Sequence, residues 1–141
     1  MTESVTPELA IETLHREQCS CVIVTSQGAL ILARRRGVID LLEMLPSLEG
    51  SFIADKVVGK GAAALMVIGG VTGVHADVIS RPALSMLRDY GVNVSYTTLT
   101  DNIINRSGTD ICPVEKLTAD CQTAEECLPL IRHFIDSINT R

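Results

Sequence analysis

Apolar and polar positions change their period several times along the chain, and each change marks an element. Thr6-Pro7-Glu8 opens a helix reaching about Gln18, with a hydroxyl cap, a proline in the first turn and an acid at the positive helix end. Cys21-Val22-Ile23-Val24 and Ala29-Leu30-Ile31-Leu32 are β-rich runs, and Thr25-Ser26-Gln27-Gly28 between them makes a hairpin. Val38 to Leu45 is a short helical run stopped by Pro46. From Asp55 to Ile68, the spacing of Val58, Ala62, Leu65 and Met66 predicts a central helix that Gly69-Gly70 ends. Val74 to Ile79 is a strand, Ser80-Arg81-Pro82 starts a helix running to Tyr90, and Val92 to Tyr96 is a strand again. That βαβ unit requires a parallel pair with a right-handed crossover. Thr123-Ala124-Glu125-Glu126 has capping-box spacing, and Leu128, Ile131, Phe134, Ile135 and Ile138 form the apolar stripe of a last helix. Pro129 inside that stripe moves the expected helix start toward Leu128.

Composition narrows the class. The 141 residues fit one domain spanning 1–141, large enough to bury a core without disulfides or metals. There is no Trp and only two Phe and two Tyr, so that core is aliphatic and packs helices closely on a sheet. A net charge of -5 opposes binding to nucleic acid. Five cysteines without disulfide spacing fit a reduced cytoplasmic protein. The first residues carry neither a basic nor an apolar signal region, and no run approaches the roughly 18 apolar residues of a membrane span, so neither export nor membrane association is expected.

Candidate chemistry concentrates in two segments. Asn105-Arg106-Ser107-Gly108-Thr109-Asp110-Ile111-Cys112-Pro113-Val114-Glu115-Lys116 holds a cation, hydroxyls, a thiol and carboxylates in twelve residues. Asn105, Arg106 and Thr109 suit a phosphate or an amide, and equally well an Asx turn around Gly108. Cys112 is a candidate nucleophile given a basic neighbour such as Lys56 or Arg106, although most cysteines are small buried hydrophobes. Glu115 is the second candidate for chemistry, and zinc is unexpected because Cys121 and Cys127 provide no ligand spacing. In the other segment, Asp55 is placed to cap the central helix, with Lys56 and Lys60 one turn apart on a single face. Two cations at a helix N-terminus repel each other and oppose the dipole until an anion arrives; the lysines alone read as an exposed, solvated face, and Asp55 with Gly59 and Gly61 tilts the segment toward a site. Gly59 and Gly61 add to that local cost. His15, His75 and His133 are scattered and read as structural, as do Cys19 and Cys21, expected on one face, while Arg34-Arg35-Arg36 reads as a solvated run.

The order of elements, with Ala54-Asp55-Lys56-Val57-Val58-Gly59-Lys60 and the segment Ile104 to Lys116, resembles the DUF1893 family over about residues 9 to 118. That family is of unknown function and similar in fold to cytidine deaminases, so the resemblance implies an α/β three-layer architecture with a mixed central sheet of about five strands. Deaminases of that fold carry a His/Cys-x-Glu motif and a Pro-Cys-x-x-Cys motif that hold zinc. Here the corresponding regions read Ala54-Asp55-Lys56 and Pro82-Ala83-Leu84-Ser85-Met86, which lack the ligands and imply that hydrolytic deamination is lost.

The combined expectation is a metal-independent, cofactor-free protein that binds a nucleotide or another small anion where the two segments meet. Lys56, Cys112 and Glu115 would carry any chemistry, and Asp55, Lys60, Asn105, Arg106 and Thr109 would bind. A non-catalytic regulatory or protein-interaction module is the alternative, and a deaminase with an unrecognised metal site stands last. Self-association is left open.

Overall fold

The computed structural model describes residues 6–34, 37–105 and 107–139. In chain order the elements are α1 (Pro7–Glu17), β1 (Cys21–Val24), β2 (Leu30–Ala33), α2 (Gly37–Glu43), β3 (Phe52–Val58), α3 (Lys60–Gly69), β4 (Gly73–Ser80), α4 (Arg81–Asp89), β5 (Asn93–Thr100), α5 (Pro113–Thr118) and α6 (Ala124–Asn139). A 3-10 turn at Leu45–Ser47 takes Pro46 after α2. The sheet runs β2-β1-β3-β4-β5. β1 is antiparallel to both β2 and β3, whereas β3, β4 and β5 are parallel, giving the expected mixed five-stranded α/β sheet flanked by helices.

The period-two alternation of β1 separates two apolar layers. Val22 and Val24 pack with Ala10 and Leu14 of α1, while Cys21 and Ile23 belong to the larger core formed with α2, α3, α4 and α6. Cys19 lies in the α1 layer and Cys21 in the other, so the expected shared face is not formed. The reason is that Cys19 precedes the strand and escapes its alternation. α1 is also tied to the sheet by His15, whose Nε2 lies 2.9 and 3.0 Å from the two carboxylate oxygens of Asp77 on β4. Arg34 donates to the Glu17 carbonyl, whereas Arg35 and Arg36 lie outside the described residues.

The main departure from the sequence reading is β3. Asp55, Lys56 and Val57 belong to a strand, and the helix begins only after Gly59. The β-branched pair Val57-Val58 and partners on both sides, β1 and β4, override the helical pattern that the Val58, Ala62, Leu65, Met66 spacing suggested. α3 is then buried along Gly61 to Met66, as befits a helix that is apolar nearly all round. β5 extends to Thr100, beyond the Tyr96 expected, and α6 starts at Ala124 with Pro129 inside it. Its start carries the reciprocal cap anticipated, with Glu126 N–H donating to Thr123 Oγ1 and Glu126 Oε2 accepting from Thr123 N–H at 3.4 Å and also from Gln122 N–H.

A methyl group at Gly61 would collide with the Val114 side chain and lie 3.5 Å from Ile131, so α5 and α6 are seated against a bare stretch of α3. Gly61→Ala should therefore destabilise the protein by about 1 to 3 kcal/mol through overpacking, despite a helix-propensity gain of about 1 kcal/mol. Urea denaturation checks the sign, since an exposed glycine would give stabilisation instead.

Candidate functional site

β3 ends at Val58, and Gly59, in extended conformation, is the N-cap of α3 without a side chain to satisfy the helix N–H groups. Glu115 of α5 supplies the missing acceptor. Its Oε2 accepts from Lys60 N–H at 2.9 Å and its Oε1 from Ile103 N–H at 2.8 Å, and the residue is only 4% exposed. A Cβ on Gly59 would lie 3.3 Å from both the Glu115 carboxyl carbon and the Ile103 side chain, so glycine is what lets the clamp close. Glu115 was expected to carry chemistry; the structure gives its carboxylate a fastening role instead.

The segment after β5 folds back on itself through an antiparallel bridge between Ile104 and Ile111. Asn105 Oδ1 accepts from Thr109 N–H at 3.1 Å and from Ser107 Oγ at 3.1 Å, and Gly108 takes a φ of +73°. Thr109 Oγ1 lies 2.8 Å from Ser107 Oγ. The Asx-turn reading therefore describes Asn105 and Thr109, whose polar atoms serve the loop itself. Lys116 forms an exposed ion pair with Asp110, and its hydrogen bond holds the Asp110 carboxyl below the usual carboxylate range. Arg106 lies outside the described residues.

Lys60 does not share a helical face with Lys56, because Lys56 is in the strand. The Lys60 ammonium donates to the carbonyls of Ala119 at 3.1 Å and Cys121 at 2.6 Å, capping the turn between α5 and α6. The repulsion on which an anion site was expected is thus absent. Beside that turn, burial first and the neighbouring Cys121 second push the Cys127 thiol up to about 12.

The two segments nevertheless meet. A cavity of about 650 Å³ lies outside the carboxyl end of β3. Asp55, Lys56 and Val57 line it, together with Gly59 and Gly61 at the start of α3, Ile103 to Asn105, and Cys112 to Glu115. Val38 and Ile39 of α2 and Phe134, Ile135 and Ile138 of α6 complete an apolar wall. The crevice outside the carboxyl ends of parallel strands is the usual ligand position of open α/β sheets, and this cavity lies at that end of β3. Cys112 is partly exposed, with its N–H donating to the Ile103 carbonyl at 2.7 Å.

Asp55 stands out within the lining. Paired with Cys21 on β1 and Ala76 on β4, it is 3% exposed. Alternation along β3 puts it with Ile53 on the face of the larger core, and puts the Lys56 Cβ on the Ala54 side. Oδ1 accepts a long 3.4 Å contact from Val57 N–H, and Oδ2 has no hydrogen-bond partner among the described residues. Burial pushes this carboxyl up to about 7 against the opposing Val57 and Lys56 N–H groups, with Asp77 and Asp40 adding to the rise. Burial and the Asp55 charge likewise push the Cys21 thiol up. Asp55 was expected to cap a helix; Gly59 holds that position and Asp55 faces a cavity. Residue type alone gave no signal for its burial, which depends on strand pairings distant in sequence. Among the described residues no cluster of three His, Cys, Asp or Glu is placed to hold a metal ion.

The fold and cavity define an α/β protein with a mixed five-stranded sheet and a crevice at the ends of its parallel strands. A family model described as a domain of unknown function, DUF1893, matches residues 9–135, and the chain belongs to that family. It is similar to the crystal structure of a DUF1893 family protein from Thermotoga maritima, with a TM-score of 0.80 and 26% identity over 97% of this chain and 92% of that one. No curated protein matches the chain. Among the described residues no helix is long and apolar enough to cross a membrane.

Glu115→Ala would leave the Lys60 and Ile103 N–H groups without their acceptor, so a loss of about 2 to 5 kcal/mol is expected, with Glu115→Gln less severe because one oxygen acceptor remains. Unfolding curves at neutral pH measure both; a carboxylate retained only for chemistry would leave stability unchanged.

A second prediction concerns pH. Asp55 binds its proton at about 7 in the fold against an ordinary 3.8, so between those values the native state holds more protons than the unfolded chain and stability falls as pH rises. Asp55→Asn should flatten that part of the stability profile. An unchanged slope between pH 4 and 7 would assign it to other groups.

Proposed function

We propose that this protein binds a small organic molecule in the cavity between β3, the start of α3, the 103–115 segment and α6. The observation that carries the reading is Asp55 Oδ2, a buried acid oxygen without a partner among the described residues, on a residue that lines a largely apolar cavity. Leaving such a group unsatisfied costs about 1 to 3 kcal/mol, and a ligand that hydrogen-bonds to it recovers that cost. The volume lies within the roughly 300–1,000 Å³ of small-molecule sites. The wall of aliphatic residues and Phe134 supplies area, and Asp55, Ser107 and Cys112 supply a few polar points.

A nucleotide or other anionic ligand is the second reading, favoured by Lys56 at the border of the cavity. Against it, the first N–H of α3, where an anion would bind, is taken by Glu115, and the unpartnered group of the lining is an acid. A regulatory role through bound ligand is compatible with either reading.

Native mass spectrometry of the protein as purified, followed by thermal unfolding with benzyl alcohol at millimolar concentration, tests the proposal. Stability should rise with ligand by mass action. Val57 lines the cavity and is 45% exposed, so Val57→Trp blocks the space without loading the core. The variant should keep the ligand-free melting temperature and lose the ligand-induced shift; an undiminished shift would place binding elsewhere.

A further inference from the structure

Resting on the cavity as the ligand site, we propose that its ligand is a small organic amine, with an apolar body against the wall and its N–H donors on the Asp55 carboxyl. Three features of the lining lead to that class. The carboxyl groups differ in what they have left to offer: both Glu115 oxygens accept backbone N–H groups, whereas Asp55 Oδ2 is unpartnered and 97% of the residue is removed from solvent. A ligand that completes Asp55 must bring a donor. Val38, Ile39, Val57, Phe134, Ile135 and Ile138 then ask for an apolar body. An anionic head would instead meet Asp55 and Glu115 together, with the α3 N-terminus already occupied.

The proton balance follows from the same geometry. Burial favours the neutral acid while the cavity holds no opposite charge. An ammonium group beside Asp55 favours the carboxylate, so an amine that arrives protonated releases the Asp55 proton to solvent, and one that arrives neutral takes that proton. Around Asp55, Cys21 of β1 shares its face and Asp40 of α2 lies on the larger-core side, while Asp77 of β4 is on the opposite face, where His15 of α1 holds it. Lys56, Cys112 and Glu115 border the cavity itself, and the Lys56 Cβ alternates to the far face of the strand.

Benzylamine, benzyl alcohol and benzoate share one apolar body and differ only in the head group, and their affinities for the full chain can be measured by calorimetry at pH 5, 6, 7 and 8. Benzylamine should bind at least about tenfold tighter than benzyl alcohol at pH 8, benzoate weakest, and the preference should shrink toward pH 5 as Asp55 protonates. Proton release at pH 6, read from the difference between two buffers of unlike ionisation enthalpy, should accompany benzylamine alone. Asp55→Asn should remove the amine preference and keep benzyl alcohol binding. Should that variant fail to fold, the pH dependence and proton release of the unmodified protein still decide. Benzylamine and benzyl alcohol binding equally, or benzoate binding best, would overturn the amine while leaving the cavity as a site; no binding by any of the three would overturn the cavity reading as well.

Discussion

The buried carboxylate of Glu115 is the contact on which the functional corner of the fold depends. It joins three parts of the chain that no local interaction would hold together: the first residue of α3, the segment leaving β5 and the helix α5 that bears it. The helix gains an acceptor at its positive end, and the loop gains a fixed position over the end of β3. Gly59 and Gly61 are the other half of the arrangement, since side chains there would press on Glu115, Ile103 and Val114. Once the loop and α5 are seated, the space left between them, β3 and α6 is the cavity.

Two acids thus border the same space with opposite environments. Glu115 is buried, and both of its oxygens accept backbone N–H groups. Asp55 is buried against weak donors and other acids, which favours the neutral form. The first closes the helix terminus to an external anion, and the second leaves a buried oxygen without a hydrogen-bond partner among the described residues. Lys60, which as a cation beside the helix start could have reversed this balance, is drawn away to the carbonyls of Ala119 and Cys121.

What was legible in the sequence is what local chemistry decides. The hairpin of β1 and β2, the β4-α4-β5 unit and the Thr123/Glu126 cap all rest on interactions within a few residues or a single crossover, and they form close to where they were expected. β3 was not legible, because Asp55, Lys56 and Gly59 imitate a helix start and only pairing with β1 and β4 makes them a strand. The polar run 105–116 did mark the neighbourhood of the cavity. The roles of its individual members were not legible, because turn-forming, capping and clamping draw on the same Asn, Thr, Lys and Glu side chains that ligand binding does. The partner of Glu115 is 55 positions away in sequence, and no spacing rule announces it.

Asp55 remains the residue that packing does not explain. Two positions earlier on the same strand and face, Ile53 is fully buried and serves the core as an aliphatic side chain does. An aliphatic residue at 55 would keep the pairing with Cys21 and Ala76 and remove the cost of a buried, partly unsatisfied acid. A cap would justify the carboxyl, but Gly59 and Glu115 complete the start of α3 without it. An ion pair would also justify it, but the charged neighbours that shift its titration, Asp77 and Asp40, are acids. The role proposed for it, contact with a molecule in the cavity, uses an acid at this position, and observed local cost of this kind is the proper starting point for an inference of function.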